Sequence, residues 1–385
     1  MAYQGTYFMQ DVMIPESLPI TGLGESQAFE LVASLVREMS APLGDPVALA
    51  HMDPPPAPVA ARLVGLNAQF NQNLLHPELS PFATHAEAKV IQWLCPFFDM
   101  SVGHMCAGST ISNLAALWCA REHGATRVVA SPDAHISVPK AASILGLPFE
   151  TLPIDHEGRI TKLDGPLQDE TVLVLTAGTT GRGVIDNLCL ADASRRRKGC
   201  AAWVHVDAAW AGPMRLTKYA YLLDGIEHAD SVSVSAHKWL FQPKDSALVL
   251  FADPDAQKAI SFGGSYLAKP NVGVQGSRSA AGVALLGTLL AWGKQGIAEK
   301  VEHCISISQQ LAERLKEDPR AQLKQEPETA VVNWRPQNEP VELVLRKLGP
   351  TASKTAIDEQ LWIRQVATNL YADIEKIWSE IDHAI

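Results

Sequence analysis

Charge of either sign is sparse in this chain. Only 19% of its 385 residues are Asp, Glu, Lys or Arg, and the 42 acids outnumber the 32 bases, for a formal charge of −10. That acidic balance argues against a generic nucleic-acid-binding surface, and a hydrophobic content of 47% argues against disorder. Cysteine is scarce too. Cys95, Cys106, Cys119, Cys189, Cys200 and Cys304 show no C-x-x-C spacing, so neither a disulfide framework nor a zinc site is expected. No uninterrupted apolar run approaches the roughly 18 residues needed to cross a bilayer. The opening Met1-Ala-Tyr-Gln-Gly-Thr6 lacks the basic and then apolar segments of a secretion signal. The expectation is a soluble, cytoplasmic protein with no membrane and no nucleic-acid partner. The one basic run, Arg195-Arg-Arg-Lys198 before Gly199, falls where a helix should end, and cations there complement the helix dipole.

What is present is a regular alternation. The length allows two domains. Residues 1–50 read as an extension with one amphipathic helix near Ser26 to Met39, its apolar face made by Ala28, Leu31, Val32, Leu35 and Val36. His51-Met-Asp-Pro-Pro-Pro56 reads as a rigid linker, and a helix is expected from about Thr84 to Phe97. Strands are predicted at Thr126–Ala130, Thr171–Leu175, Ala202–Val206, Ser231–Ser235 and Ala247–Phe251, with helices at Ile111–His123 and from His135 to about Gly146. That order indicates an α/β fold with a mostly parallel central sheet. A long apolar helix over about Ala280–Trp292, a charged helix to Lys316, a strand at Ala330–Trp334 and a closing helix near Trp362 to Ile381 complete the pattern. The division expected is an extension (1–50), a large domain (51–290) and a smaller C-terminal α+β domain (291–385).

Four chemically suggestive residues, His135, Thr179, Asp207 and Lys238, fall at the ends of predicted strands, where open α/β sheets bind their ligands. Lys238 follows the alternating Ser231-Val-Ser-Val-Ser235, which reads as a half-buried strand, and Asp207 closes Trp203-Val-His-Val-Asp207. A lysine and an aspartate on neighbouring strand ends suggest a pyridoxal 5′-phosphate site, the lysine forming a Schiff base and the aspartate holding the pyridinium nitrogen. Ala107-Gly-Ser109-Thr110 runs directly into a helix, whose free N–H groups and positive end make a phosphate seat.

Ser235-Ala-His237-Lys238-Trp239 and His205-Val-Asp207-Ala-Ala209, with His51-Met-Asp-Pro-Pro, Asn71-Gln-Asn-Leu-Leu75, Gly108-Ser-Thr110, Asp133-Ala-His135 and Thr176-Ala-Gly-Thr-Thr180, resemble the group II pyridoxal-phosphate-dependent amino-acid decarboxylases. The likeness covers most of the chain. It implies the aspartate-aminotransferase-like fold, fold type I, and α-decarboxylation of an L-amino acid to an amine and CO₂ through a quinonoid. It also implies that Lys238 is the Schiff-base residue and Asp207 the ring-nitrogen partner. Ala209 and His135 would lie on the two faces of the ring, Ser109, Thr110, Ser235 and His237 would hold the phosphate, and Thr179 would lie near the phenolic edge. Tyr266 is the tyrosine available to protonate the quinonoid. A homodimer is implied, with the site at the subunit interface and Gly276-Ser277 reaching the neighbour's phosphate. Ile111 stands where common members carry an acid.

Two further readings follow from the same residues. Gly263-Gly-Ser-Tyr266 with Gly276-Ser-Arg278 also resembles the sphingosine-phosphate-lyase branch of this fold, a carbon–carbon lyase. A catalytically silent protein of the same fold is the third, opposed by the intact Lys238, Asp207 and His135. Arg364 is open to two roles, a carboxylate partner or a structural ion pair.

Overall fold

The computed structural model describes residues 14, 15, 17–163, 167, 170–195 and 203–385. It divides into two compact units, Met1–Pro42 and Leu43–Ile385. The first contains helix α1 (Glu25–Met39), over the expected span. The predicted role of the basic run beyond Arg195, the start of a strand at Ala202 and the reading of Met1 to Thr6 lie outside the described residues.

The second unit begins with α2 (Pro58–Gln69) and α3 (Pro81–Leu94). Both start on a proline in the first turn, where the missing N–H has no helical partner to lose. A seven-stranded sheet follows. Its strands are β1 (Val102–Cys106), β2 (Arg127–Ala130), β3 (Phe149–Thr151), β4 (Thr171–Thr176), β5 (Trp203–Asp207), β6 (Ser231–Val234) and β7 (Ala247–Phe251), in the order β1-β7-β6-β5-β4-β2-β3. Pairings from β3 through β6 are parallel, while β7 runs antiparallel to both β6 and β1. Helices α4 (Ser109–Glu122), α5 (Ser137–Leu145) and the short α6 (Leu190–Arg195) make the connections. A two-stranded ribbon, β8 (Ser261–Phe262) and β9 (Asn271–Val272), follows β7. Then comes α7 (Ala281–Glu317), broken at Gly293, whose φ of 60° and ψ of −177° separate the apolar and charged segments. The C-terminal sheet joins β10 (Ala321–Leu323), β11 (Val331–Pro336), β12 (Ser353–Ile357) and β13 (Gln360–Val366) in the order β10-β11-β13-β12, all antiparallel, with α8 (Val341–Leu348) and α9 (Ile374–Ala384).

The structure corrects several expectations. The closing helix begins at Ile374, not near Trp362. Trp362 lies on β13, and the helix starts where Asp373 accepts hydrogen bonds from the Glu375 and Lys376 N–H groups. Strand β6 is buried along its whole length, not half-buried; its serines face a polar interior and not solvent. Strand β1 and helix α2 were not expected. Among the described residues no helix is long and apolar enough to cross a membrane.

The central strands are buried throughout; β4 and β7 carry no exposed residue. That is the signature of a sheet covered on both faces. The candidate residues collect at the carboxyl ends of β4, β5 and β6.

Candidate active site

Three loops and one helix end converge there on a cavity of about 340 Å³. Ser109, Thr110, His135, Asp207, Ala209, Ser235, His237 and Lys238 all line it, joined by Thr176, Gly178, Thr180 and Trp210. Its floor depends on one glycine. Gly178 has φ +93°, and a Cβ there would come within 2.5 Å of Trp210 Cδ1. Trp210 is pinned in turn by a tilted ring contact with Trp239, centroids 4.1 Å apart, and by its Nε1–H, which donates to Thr329 Oγ1 at 3.0 Å.

Lys238 leaves β6 in a tight turn, its N–H donating to the Ser235 carbonyl at 3.3 Å. The turn closes on Phe241, a fully buried aromatic held at φ +54°. A bulky residue in the left-handed region stores strain, and such strain gathers at functional sites. No described carboxylate forms an ion pair with Lys238. Burial lowers its pKa, with Asp207 and Asp53 acting in the opposite direction, so the amine is shifted toward its nucleophilic, neutral form.

Asp207 is 3% exposed at the end of β5. Its Oδ1 accepts the Ala209 N–H at 3.1 Å and lies 3.2 Å from the Ser233 hydroxyl oxygen, and its Oδ2 accepts from Asn113 Nδ2 at 2.8 Å. These bonds aim a carboxylate while leaving lone pairs free. The phosphate end fits as well. Ser109 begins α4 after Gly108, and its buried hydroxyl has no partner among the described residues. An orphaned buried donor at a helix N-terminus is a seat for an anion. His237 donates from Nδ1 to the Ser246 carbonyl at 3.2 Å, leaving Nε2 to accept the Ser235 hydroxyl at 3.2 Å. Burial and the neighbouring Lys244 and Lys238 hold its pKa at about 4. His135 lines the same cavity, its pKa also lowered by burial. A free amine, an aimed carboxylate and an anion seat in one cavity that Ala209 and His135 also line fit pyridoxal 5′-phosphate.

The profile of the pyridoxal-dependent decarboxylase conserved domain matches residues 57–337. The chain belongs to this family.

Among curated relatives, the decarboxylase is 29% identical over 369 residues to the L-2,4-diaminobutyrate decarboxylase of Rhizobium meliloti, covering 87% of this chain and 73% of the relative. It is 27% identical to the aspartate 1-decarboxylase of Aliivibrio fischeri, over 69% of this chain and 59% of that protein. Its fold, fold type I, is that of the decarboxylase domain of a diaminobutyrate-pyruvate transaminase and L-2,4-diaminobutyrate decarboxylase from Vibrio parahaemolyticus. The TM-score there is 0.83 at 24% identity, over 96% of this chain and 87% of that one. Tryptophan decarboxylase of Catharanthus roseus superposes with a TM-score of 0.82 at 20% identity, over 96% and 89%. The decarboxylase is thus a pyridoxal-phosphate-dependent carboxy-lyase acting on an amino acid.

Not every predicted residue enters the cavity. Thr179 is fully buried and turned away, its Oγ1 accepting the Val184 N–H at 3.3 Å; Thr180 lines the cavity instead. Tyr266 is 72% exposed and lies outside the lining. Gly276 and Ser277 also lie outside it, Ser277 Oγ accepting from Asn73 Nδ2 at 3.2 Å. The adjoining Gln275 does reach the site, since its Oε1 accepts the Ala107 N–H at 2.7 Å beside the phosphate seat. Arg364 has no carboxylate partner among the described residues. Its Nε donates to the Thr180 carbonyl at 2.8 Å, and its Nη1 to Ser353 Oγ and the Ala50 carbonyl. Burial brings its pKa down to about 10. Sequence reasoning missed Asn113 and Ser233, which adjoin Asp207, and His205 and Ser137, which bond Asn113. Asn113 lies one helical turn beyond Ser109, and His205 shares a strand face with Asp207, so periodicity alone could have found both.

Proposed function

We propose that the enzyme α-decarboxylates a small L-amino acid with a charged side chain, of the 2,4-diaminobutyrate or aspartate kind, with Lys238 as the covalent anchor of pyridoxal 5′-phosphate. One observation carries the reading: a half-buried lysine without an ion pair among the described residues shares a cavity with an aimed carboxylate and an orphaned hydroxyl at a helix N-terminus. The names of the curated relatives support the choice of substrate.

When bound, the cofactor supplies an electron sink conjugated with the bond that breaks at Cα. The chain's own groups do the rest. The Asp207 carboxylate holds a proton at the ring nitrogen, and each pKa unit of that shift corresponds to about 1.4 kcal/mol. Ala209 and His135, which line the same cavity, would flank the ring. Ser109, Thr110 and the N–H groups of α4 would hold the phosphate, joined by Ser235 once its hydroxyl turns from His237 Nε2 toward it. Lys238 Nζ would be the amine that anchors the cofactor until the substrate amine takes its place. Arg364, whose guanidinium meets neutral oxygens among the described residues, would balance the substrate carboxylate and so orient the bond that breaks.

The enzyme acts as a homodimer, with residues 1–50 and the loop from Tyr266 to Ser277 serving the partner subunit's site. Tyr266 then protonates the product carbon there, and Gly276-Ser277 meet the partner's phosphate. This assignment is supported by the placement of all three outside their own chain's cavity and by the exposed Phe70, Phe82, Trp93 and Leu290. Residues 51–290 carry the cofactor and 291–385 form the smaller lobe. The five described cysteines are free, which favours a reducing cytoplasmic setting.

A panel of carboxyl-labelled aspartate, glutamate, 2,4-diaminobutyrate and aromatic amino acids tests the assignment. Release of labelled CO₂ is expected from a charged, short-chain member. Turnover restricted to aromatic amino acids, or cleavage without CO₂, contradicts it.

A further inference from the structure

Asn113, fully buried on α4, uses every hydrogen-bonding valence of its side chain. Its Nδ2 donates to Asp207 Oδ2 and to Ser137 Oγ, both at 2.8 Å. Its Oδ1 accepts from Ser233 Oγ at 2.6 Å and meets His205 Nε2 at 3.0 Å. The amide cannot be reversed, because its oxygen would then face a carboxylate, which only accepts.

That orientation dictates where the protons lie on both sides of it. Oδ1 only accepts, so His205 carries its proton on Nε2. Its Nδ1 then accepts the Ser231 hydroxyl at 2.9 Å, and Ser231 Oγ accepts the Trp203 indole N–H at 2.9 Å. On the other arm, Ser137 Oγ accepts from Asn113, so its own proton points to His135 Nδ1 at 2.8 Å. The Ser137 backbone N–H also donates to that nitrogen, at 3.2 Å. His135 Nδ1 is thus an acceptor twice over.

We propose that Asn113 is a positioning residue that couples two groups lining the cofactor cavity, aiming the Asp207 carboxylate and fixing His135 as the neutral tautomer protonated on Nε2. The inference rests on the site being the cofactor site. Its consequence is that His135 meets a ligand as a hydrogen-bond donor from Nε2, the ring nitrogen with no protein partner among the described residues. Burial lowers the His135 pKa, which favours the same neutral ring. The chain of bonds links three elements of the large sheet region, β5, α4 and the start of α5, so the stacking histidine and the ring-nitrogen carboxylate are set by one amide.

The test is a long-range proton–nitrogen correlation spectrum of the holoenzyme carrying ¹⁵N-histidine, with the His135 signals assigned by their loss in His135→Gln. The expected result is an unprotonated Nδ1 and a protonated Nε2 at neutral pH. Ser137→Ala, which keeps Asn113, should convert His135 to a mixture of tautomers. Asn113→Leu should do the same, shift the pH dependence of the bound cofactor's absorbance, and lower kcat on the order of 10- to 100-fold, the usual effect of removing a group that orients a ligand's partner. A wild-type His135 protonated on Nδ1 or charged at neutral pH overturns the proposal. So does a tautomer unchanged in Ser137→Ala, which decides the matter even where Asn113→Leu fails to fold. The nitrogen shifts do not depend on which amino acid is the substrate, so failure of the substrate assignment leaves this outcome readable.

Discussion

Asp207 and Ser233 are register partners on the adjacent parallel strands β5 and β6, and the Ser233 hydroxyl lies 3.2 Å from Asp207 Oδ1. The pairing places the carboxylate one strand away from the turn that carries Lys238. A one-residue slip of register would turn Asp207 to the other face. The site is therefore held first by backbone pairing and then by side chains.

Asp207→Asn should keep the cofactor bound but lower kcat by at least about 10²-fold, within the range expected for loss of a positioned proton-holding group. Absorbance of the purified variant reports retention and steady-state kinetics the loss. Full activity in this variant would show that the carboxylate does not hold the ring proton.

Arg364→Lys should raise KM for the amino acid roughly 10- to 100-fold, the value of one or two hydrogen bonds to a charged group, with a smaller change in kcat. The lysine keeps the charge but loses the planar fork that also holds the Thr180 and Ala50 carbonyls. An unchanged KM would leave the arginine a purely structural role.

Gly178→Ala should destabilise the protein by about 1–3 kcal/mol. The φ of +93° disfavours any side chain, and its Cβ would sit 2.5 Å from Trp210 Cδ1. A lowered midpoint in thermal melts, with weaker cofactor retention, is the expected outcome. An unaltered midpoint would mean that the floor can shift freely.

Stability should fall as the pH drops below 6.5. Burial depresses the His104 pKa to about 3, and His237 stands at about 4. The unfolded chain therefore binds protons that the folded chain refuses. The stability these groups contribute is fully present above about 6.5 and is lost as the pH falls toward their folded values. Asp186 acts in the other direction: burial raises it to about 6, so its contribution is lost as the pH rises from about 3.8 through 6. Thermal melts between pH 7 and 4.5 should show the histidines prevailing, with a shallower fall in His104→Gln. A flat profile would mean that these rings reach solvent before unfolding.

Much of this was legible in the sequence because strands and helices repeat at fixed periods. The ends of β4, β5 and β6 were read within a residue or two, and so were Lys238, Asp207 and the start of α4. What was not legible depended on departures from periodicity. Thr179 and Thr180 are neighbours in a turn opened by Gly178, and no period decides which of them faces the cavity. The serines of β6 imitate a solvent-facing pattern, yet they face Asn113, Asp207 and His205. Trp362 to Val366 is apolar enough for a helix face, but pairing with β11 and β12 makes it a strand, and tertiary pairing of this kind overrides local propensity. Tyr266 lies on an exposed loop outside the cavity lining, and spacing along the chain does not decide whether a loop tyrosine turns toward the cavity.

The most direct measurement is borohydride reduction of the holoenzyme followed by peptide mapping by mass spectrometry. The account predicts a single reduced cofactor adduct on the peptide containing Lys238, absent in Lys238→Ala along with CO₂ release. An adduct on another lysine, or CO₂ release that persists in Lys238→Ala, would contradict it.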